Sequence, residues 1–287
     1  MEKKQLEGLV ALLITVFIWG ISFINIKIAV AVIGPMTLGF LRFAMALVIL
    51  WFMKRRMAPG TRVERRDWGM MALAGAIGVT LYFYFENNGV KMISPGSAAI
   101  IVAAIPLATV LAEAVVDRKP ITLRMAACTL LSVVGVGMVT GIAPVPGENP
   151  LGYWMMGGAV ISWVVYCLIS RGLFKRYDSL TITYYQTAVG MVLFVPFMVF
   201  ETNLWDQVTP VVWLNVAILG VFASALGFYL YLMAMDRLGV ALSSLYLNVI
   251  PIVTLLTGVV FMGDVVSWGQ WGGAALVIAA VGAAGRK

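Results

Sequence analysis

Ten apolar runs, each close to twenty residues long and parted by short polar, glycine or proline breaks, leave this chain few ways to fold. They cover, approximately, residues 8–31, 36–53, 68–88, 95–116, 122–141, 151–171, 180–200, 211–233, 240–261 and 268–285. A run of this length crosses a bilayer as a helix, because a helix satisfies its own backbone hydrogen bonds where no water is available. The alternating pattern of a membrane barrel is missing. Charge agrees: of 287 residues, 62% are hydrophobic and 11% charged, whereas a water-soluble domain carries about 25% charged residues. The first run follows a short basic segment and is too long for the apolar core of a signal peptide. It is expected to stay as the first span.

Lysine and arginine set the orientation, since they gather in cytoplasmic loops. With the N-terminus inside, seventeen of the twenty basic residues fall in cytoplasmic segments, among them Lys54, Arg55, Arg56, Arg62, Arg65, Arg66, Arg171, Lys175, Arg176 and Arg237. Only Lys91 lies in an outer loop, and Lys27 and Arg42 lie inside spans. The net charge of +7 is therefore a topology signal, and no nucleic-acid partner is expected.

The two halves of the chain correspond. Leu81, Phe83, Tyr84, Pro106 and Thr109 recur as Leu226, Phe228, Tyr229, Pro251 and Thr254, each 145 residues later. Trp19, Lys27 and Thr37 are matched by Trp163, Arg171 and Thr181 at an offset of 144, and Asp117 by Asp264 at 147. These matches point to duplication of a five-span unit, residues 1–144 and 145–287. A five-helix unit that starts inside ends outside, so its copy crosses the membrane the opposite way. Inverted repeats of this kind carry alternating-access transporters, with the substrate site at the midplane between the halves. The expected fold is thus all-α integral membrane: ten transmembrane helices as two inverted five-helix repeats, in the inner membrane with both termini cytoplasmic.

The residues resemble the drug/metabolite transporter superfamily, in particular its ten-span EamA-type bacterial exporters. The resemblance rests on Trp19-Gly20-Ile21-Ser22-Phe23 with Lys27 after it, and on Pro106 and Pro251 in the fourth and ninth spans. Acidic residues at the ends of those spans add to it. It covers essentially the whole chain, although Asp117 and Asp264 stand where the family usually carries Glu. It implies export of amino acids or other small metabolites through a central cavity, with aromatic and neutral amino-acid exporters as the nearest members. A multidrug or other metabolite transporter, for a nucleoside or an organic cation, is the alternative.

Other chemistries have little to work with. The chain holds no histidine, the commonest general acid/base and metal ligand, and no cluster of carboxylates. An enzyme is therefore not expected, nor a metal or any other cofactor. Cys128 and Cys167 sit in apolar runs as free thiols. No Gly-x-x-x-x-Gly-Lys-Ser/Thr loop is present to drive a nucleotide-powered pump.

Helical spacing selects the expected substrate-binding residues. Gly75, Gly78, Tyr82 and Glu86 share one stripe of the third span; Gly220, Ala223, Gly227 and Tyr231 share its counterpart in the eighth. Trp19 and Ser22 share a face in the first span, as Trp163, Tyr166 and Ser170 do in the sixth. The two tryptophans lie mid-span, away from the interface that membrane tryptophans usually mark. Asn248, on one face with Ser244, offers a polar contact for substrate. The expected set is Trp19, Tyr82, Glu86, Trp163, Tyr166, Phe228, Tyr231, Ser244 and Asn248. Snorkelling to the interface is the other account of Lys27, a solvated helix end that of Glu86, and an ion pair with Arg118 or Arg124 that of Glu113. Pro106 and Pro251 each interrupt a helix, as a static kink or as a gating hinge. The partners implied are a small-molecule substrate and the lipid bilayer. Gly137-x-x-x-Gly141 and Gly269-x-x-x-Gly273 suit either a dimer or packing inside one protomer.

Overall fold

The computed structural model describes residues 3–118, 120–141, 147–262 and 266–285, and within them the chain is helical with no strand. Asp264, half of the expected Asp117–Asp264 match, lies outside the described residues, as do Lys119, Arg286, Lys287 and residues 142–146.

Nine helices among the described residues are long and apolar enough to cross a membrane. They are α1 (Lys3–Val30), α2 (Pro35–Met57), α3 (Arg65–Met92), α4 (Gly96–Asp117), α5 (Leu123–Thr140), α6 (Pro150–Leu173), α7 (Ser179–Met198), α8 (Pro210–Leu238) and α9 (Val240–Thr257). A further helix, α10 (Trp268–Gly285), opens on Trp-Gly-Gln-Trp-Gly-Gly, which dilutes its apolar character. By length and composition the count is nine where the sequence leads one to expect ten.

Local chemistry fixes where the helices begin. A polar residue followed by proline starts α6 at Asn149-Pro150 and α8 at Thr209-Pro210, each cap side chain accepting a backbone N–H of the first turn. Asp178 caps α7 through the amide and hydroxyl of Thr181. α2 has no such local cap. Glu201, beyond the end of α7, accepts instead from the amides of Met36 and Thr37 at 2.8 Å and from the Thr37 hydroxyl at 2.9 Å. Before α4, Glu148 accepts from the Ser94 amide and from the hydroxyls of Ser97 and Tyr153. Partial desolvation pushes the Glu148 carboxyl up, but those donors outweigh it and hold it below 4.5.

The helices pack in matched sets. α2 lies on α7 and α5 on α10; α1 lies on α8 and α3 on α6; α1 also meets α9, and α4 meets α6. Gly135 and Gly273 bring α5 and α10 close enough that a Cβ on Gly273 would stand 2.6 Å from the Gly135 carbonyl oxygen. Gly273 of the second GxxxG pair thus packs within the protomer.

Four interruptions break the regular helices. α3 carries a π-helical stretch at Ala76–Leu81 and α8 one at Leu219–Gly227. α4 turns at Ala103 and Ala104 and starts again as Ile105–Asp117; α9 passes through a 3₁₀ turn, Leu247–Val249, and starts again in the helix Ile250–Met262, which runs on past Thr257. Pro106 and Pro251 are therefore not mid-helix kinks. Each sits in the first turn of a new segment, where a missing N–H forfeits no helical bond.

Candidate functional site

The two π-helical stretches and the two breaks surround one central cavity. It is lined by Trp19, Ser22 and Phe23 of α1, Arg42 of α2, Tyr82, Phe83 and Glu86 of α3, and Val102 and Ile105 of α4. Trp163, Phe228, Leu247 and Ile250 complete the lining from α6, α8 and α9. Tyr82 and Phe228 each follow directly on a π-helical stretch. Val102 and Ile105 flank the break in α4; Leu247 and Ile250 flank that in α9.

Much of the lining comes in pairs at the repeat offset. Trp19 and Trp163 are 144 residues apart; Phe83 and Phe228, Val102 and Leu247, and Ile105 and Ile250 are each 145 apart. The paired residues are all apolar or aromatic. The polar ones are unpaired: Ser22, Arg42 and Glu86 answer by offset to Tyr166, Gln186 and Tyr231.

The aromatic walls hold one another. Trp19 meets Trp163 edge to face with centroids 5.4 Å apart; Trp163 lies 4.9 Å from Tyr82 and 5.7 Å from Phe228. The Trp19 indole donates to the Ala223 carbonyl at 3.0 Å, inside the π-helical stretch of α8. Gly227 allows that approach, since a Cβ there would stand 2.6 Å from Trp19 Nε1.

The charged residues are held apart. Arg42 is 2% exposed; its Nε donates to Ser224 Oγ at 2.7 Å, and its guanidinium carbon lies 4.5 Å from the Phe83 ring centroid. Its Nη1 is buried with no protein hydrogen-bond partner. Glu86, 5% exposed, takes the Tyr82 hydroxyl on Oε1 at 2.7 Å. It is a buried cavity residue, not a solvated helix end. No ion pair within 4.0 Å joins Arg42 to Glu86.

Of the nine expected binding residues, Trp19, Tyr82, Glu86, Trp163 and Phe228 line the cavity. The other four stand behind it. Tyr166 packs on Trp163, and Tyr231 on both tryptophans. Ser244 approaches the Tyr231 hydroxyl at 3.4 Å. Asn248 faces away from the cavity, its Nδ2 donating to Ser132 of α5 at 2.7 Å. Glu113 pairs with Arg171 at 2.9 Å rather than with Arg118 or Arg124, because α6 and not the following loop packs against that end of α4. Lys27 Nζ donates to the carbonyls of Val90 and Ile93 at 2.7 and 2.9 Å, satisfying acceptors at the end of α3.

Arg42 is the cavity residue that helical spacing missed. Its signal was a charge inside a span, which by its cost alone marks a site. The cavity measures about 30 Å³, room for one or two waters and for no metabolite. Among the described residues no group of three or more His, Cys, Asp or Glu could hold a metal ion.

The EamA-like transporter family matches the chain twice, over residues 6–141 and 150–284. An uncharacterised transporter of Archaeoglobus fulgidus is 23% identical over 97% of this chain and 98% of its own. A probable terminal-alkyne amino-acid exporter of Streptantibioticus cattleyicolor is 28% identical over 91% and 88%. One solved crystal structure shares the fold, with a TM-score of 0.79 at 22% identity over 99% of this chain and 97% of that one.

Proposed function

Because the chain belongs to the EamA-like transporter family and is a transporter rather than an enzyme, we propose that it exports small amphipathic metabolites, amino acids foremost, by alternating access through the central cavity. The carrying observation is the pairing of the lining: four pairs of cavity residues recur at the offset that relates the halves. A pseudo-two-fold axis through the cavity gives that pattern, and an inverted pair of five-helix units, 1–144 and 145–287, supplies the axis. The double family match and the matched packing of α1 on α8 with α3 on α6 support the same arrangement. α10 is then the tenth span, and both termini lie on the cytoplasmic side of the inner membrane.

The breaks at Pro106 and Pro251 act as gates in this scheme, since the residues flanking both breaks touch the cavity. A closed cavity of about 30 Å³ requires movement before a solute enters. Two indoles and three phenyl rings suit an apolar side chain, and the relative named as an amino-acid exporter supports that class. The buried Arg42 disfavours an organic cation. Counterflow of radiolabelled metabolites into liposomes holding the purified protein tests the function. Exchange of amino acids is expected; protein-free rates for every solute would overturn it.

A further inference from the structure

We infer that Arg42 and Glu86 form a split receptor for a zwitterionic α-amino acid head, Arg42 taking the carboxylate and Glu86 the ammonium, while the paired aromatic walls take the side chain. The inference rests on the transporter reading above and adds the polarity of the site to it.

Arg42 Nη1 is buried without a protein partner, and the guanidinium is anchored by Ser224 on one edge and by the Phe83 ring. A buried guanidinium with a free donor is costly, and the lack is made good by an anionic acceptor. A guanidinium fork fits a carboxylate better than any other small anion of that charge. Glu86, on the neighbouring α3, is anchored by Tyr82 through Oε1 alone. The two charges share one cavity, and their anchors hold them more than 4.0 Å apart, so they do not neutralise each other by contact.

Each class of solute can be weighed against that pair. A phosphate would satisfy Arg42 and be repelled by Glu86. An organic cation would satisfy Glu86 and leave Nη1 stranded beside a second positive charge. A neutral solute would bring neither an anion to Nη1 nor a second cation to Glu86. A zwitterion alone serves both. The placement within the repeat points the same way: the symmetric lining is apolar, whereas Arg42 and Glu86 answer by offset to Gln186 and Tyr231. One half alone carries the charges, so the head of the substrate is oriented within an otherwise symmetric box.

The probes are L-phenylalanine, 2-phenylethylamine, which lacks the carboxylate, and 3-phenylpropanoate, which lacks the ammonium. Binding is read by quenching of tryptophan fluorescence in detergent, which needs no turnover, and transport by competition in counterflow. The wild type is expected to prefer phenylalanine over each analogue by about tenfold or more. Arg42→Gln should bring the preference over the amine to within about twofold and keep that over the acid. Glu86→Gln should do the reverse. Each ratio is taken within one preparation, so partial misfolding leaves it unmoved, and Arg42→Lys should fall between Arg42→Gln and the wild type. The proposal is overturned if both variants keep the wild-type ratios, or if each loses both preferences alike. A wild type that carries phenylalanine and both analogues equally also overturns it and leaves the transporter function standing. A wild type that moves nucleosides or other metabolites but no amino acid overturns the substrate class and this inference with it.

Discussion

Replacing Gly227 by alanine should damage the site at a distance from any charge. A Cβ at this position stands 2.6 Å from Trp19 Nε1, 3.3 Å from Trp19 Cδ1 and 3.2 Å from the Phe222 carbonyl oxygen. The indole must move, and in moving it gives up its 3.0 Å bond to the Ala223 carbonyl. Leaving that donor and acceptor unpaired in a partly buried place costs about 1–3 kcal/mol. Overpacking adds about 1–3 kcal/mol, against a gain of about 1 kcal/mol from alanine's better helix propensity. The net loss is about 1–5 kcal/mol. The displaced ring also turns into a cavity of about 30 Å³, so substrate binding should weaken along with stability. Gly282→Ala is the control, because a Cβ there meets nothing within 4 Å. Thermal unfolding in detergent, followed by intrinsic fluorescence, should put Gly227→Ala several degrees below Gly282→Ala, with phenylalanine quenching reduced. Equal midpoints and equal quenching in the two variants would refute the role given to the Trp19–Ala223 bond.

Glu201→Ala removes three hydrogen bonds at the start of α2 and should lower the unfolding midpoint by the equivalent of about 1–2 kcal/mol, as read by the same melt; an unchanged midpoint would mean that α2 is capped by other means. Glu148 is held below 4.5 when folded, so its stabilising part is full above that value and is lost as pH falls through the lowered one. Melts of Glu148→Gln should therefore lie below the wild type near pH 7 and converge with it under acid; a gap that persists under acid would refute the assignment. Trp163→Phe, gentler than an alanine truncation at about 3–5 kcal/mol, should widen the cavity and move competition towards bulkier amino acids, and an unaltered size ranking would count against Trp163 as a wall. A single cysteine at position 60 should resist an impermeant thiol reagent in intact cells, and ready labelling there would invert the proposed topology.

The spans were legible because each is a long apolar run closed by glycine, proline or a capping residue: α6 starts at the expected place with Asn149-Pro150, and α8 with Thr209-Pro210. The tryptophan pair was legible because its members lie mid-span and recur at a fixed offset. What escaped was set by contacts between distant segments. The cap on α2 comes from Glu201, some 165 residues along the chain, and no local pattern at Gly34-Pro35 announces it. The π-helical stretches leave no trace in periodicity, because the residues Ala76–Leu81 and Leu219–Gly227 are small and apolar and read as ordinary helix. Asn248 stands outside the cavity lining for a related reason. Helical spacing gives its face, but only the packing of α5 tells that this face meets Ser132 and not the cavity.

On the proposed reading, the repeat supplies the matches and the chemistry lies in the mismatches. A duplicated unit returns the same side chain to both sides of the axis wherever the residue serves the scaffold, as Ile105 with Ile250 and Phe83 with Phe228 do. A substrate with different ends breaks that equivalence, so the residues that face its polar end are those that differ between the copies. Ser22 against Tyr166, Arg42 against Gln186 and Glu86 against Tyr231 are such positions, and the first of each pair reaches the cavity while the second stands outside its lining. Tyr166 and Tyr231 pack on Trp163 instead. Burial makes such a division costly to maintain: an arginine at 2% exposure inside a membrane helix carries a desolvation cost that the proposed contact with a substrate carboxylate would offset.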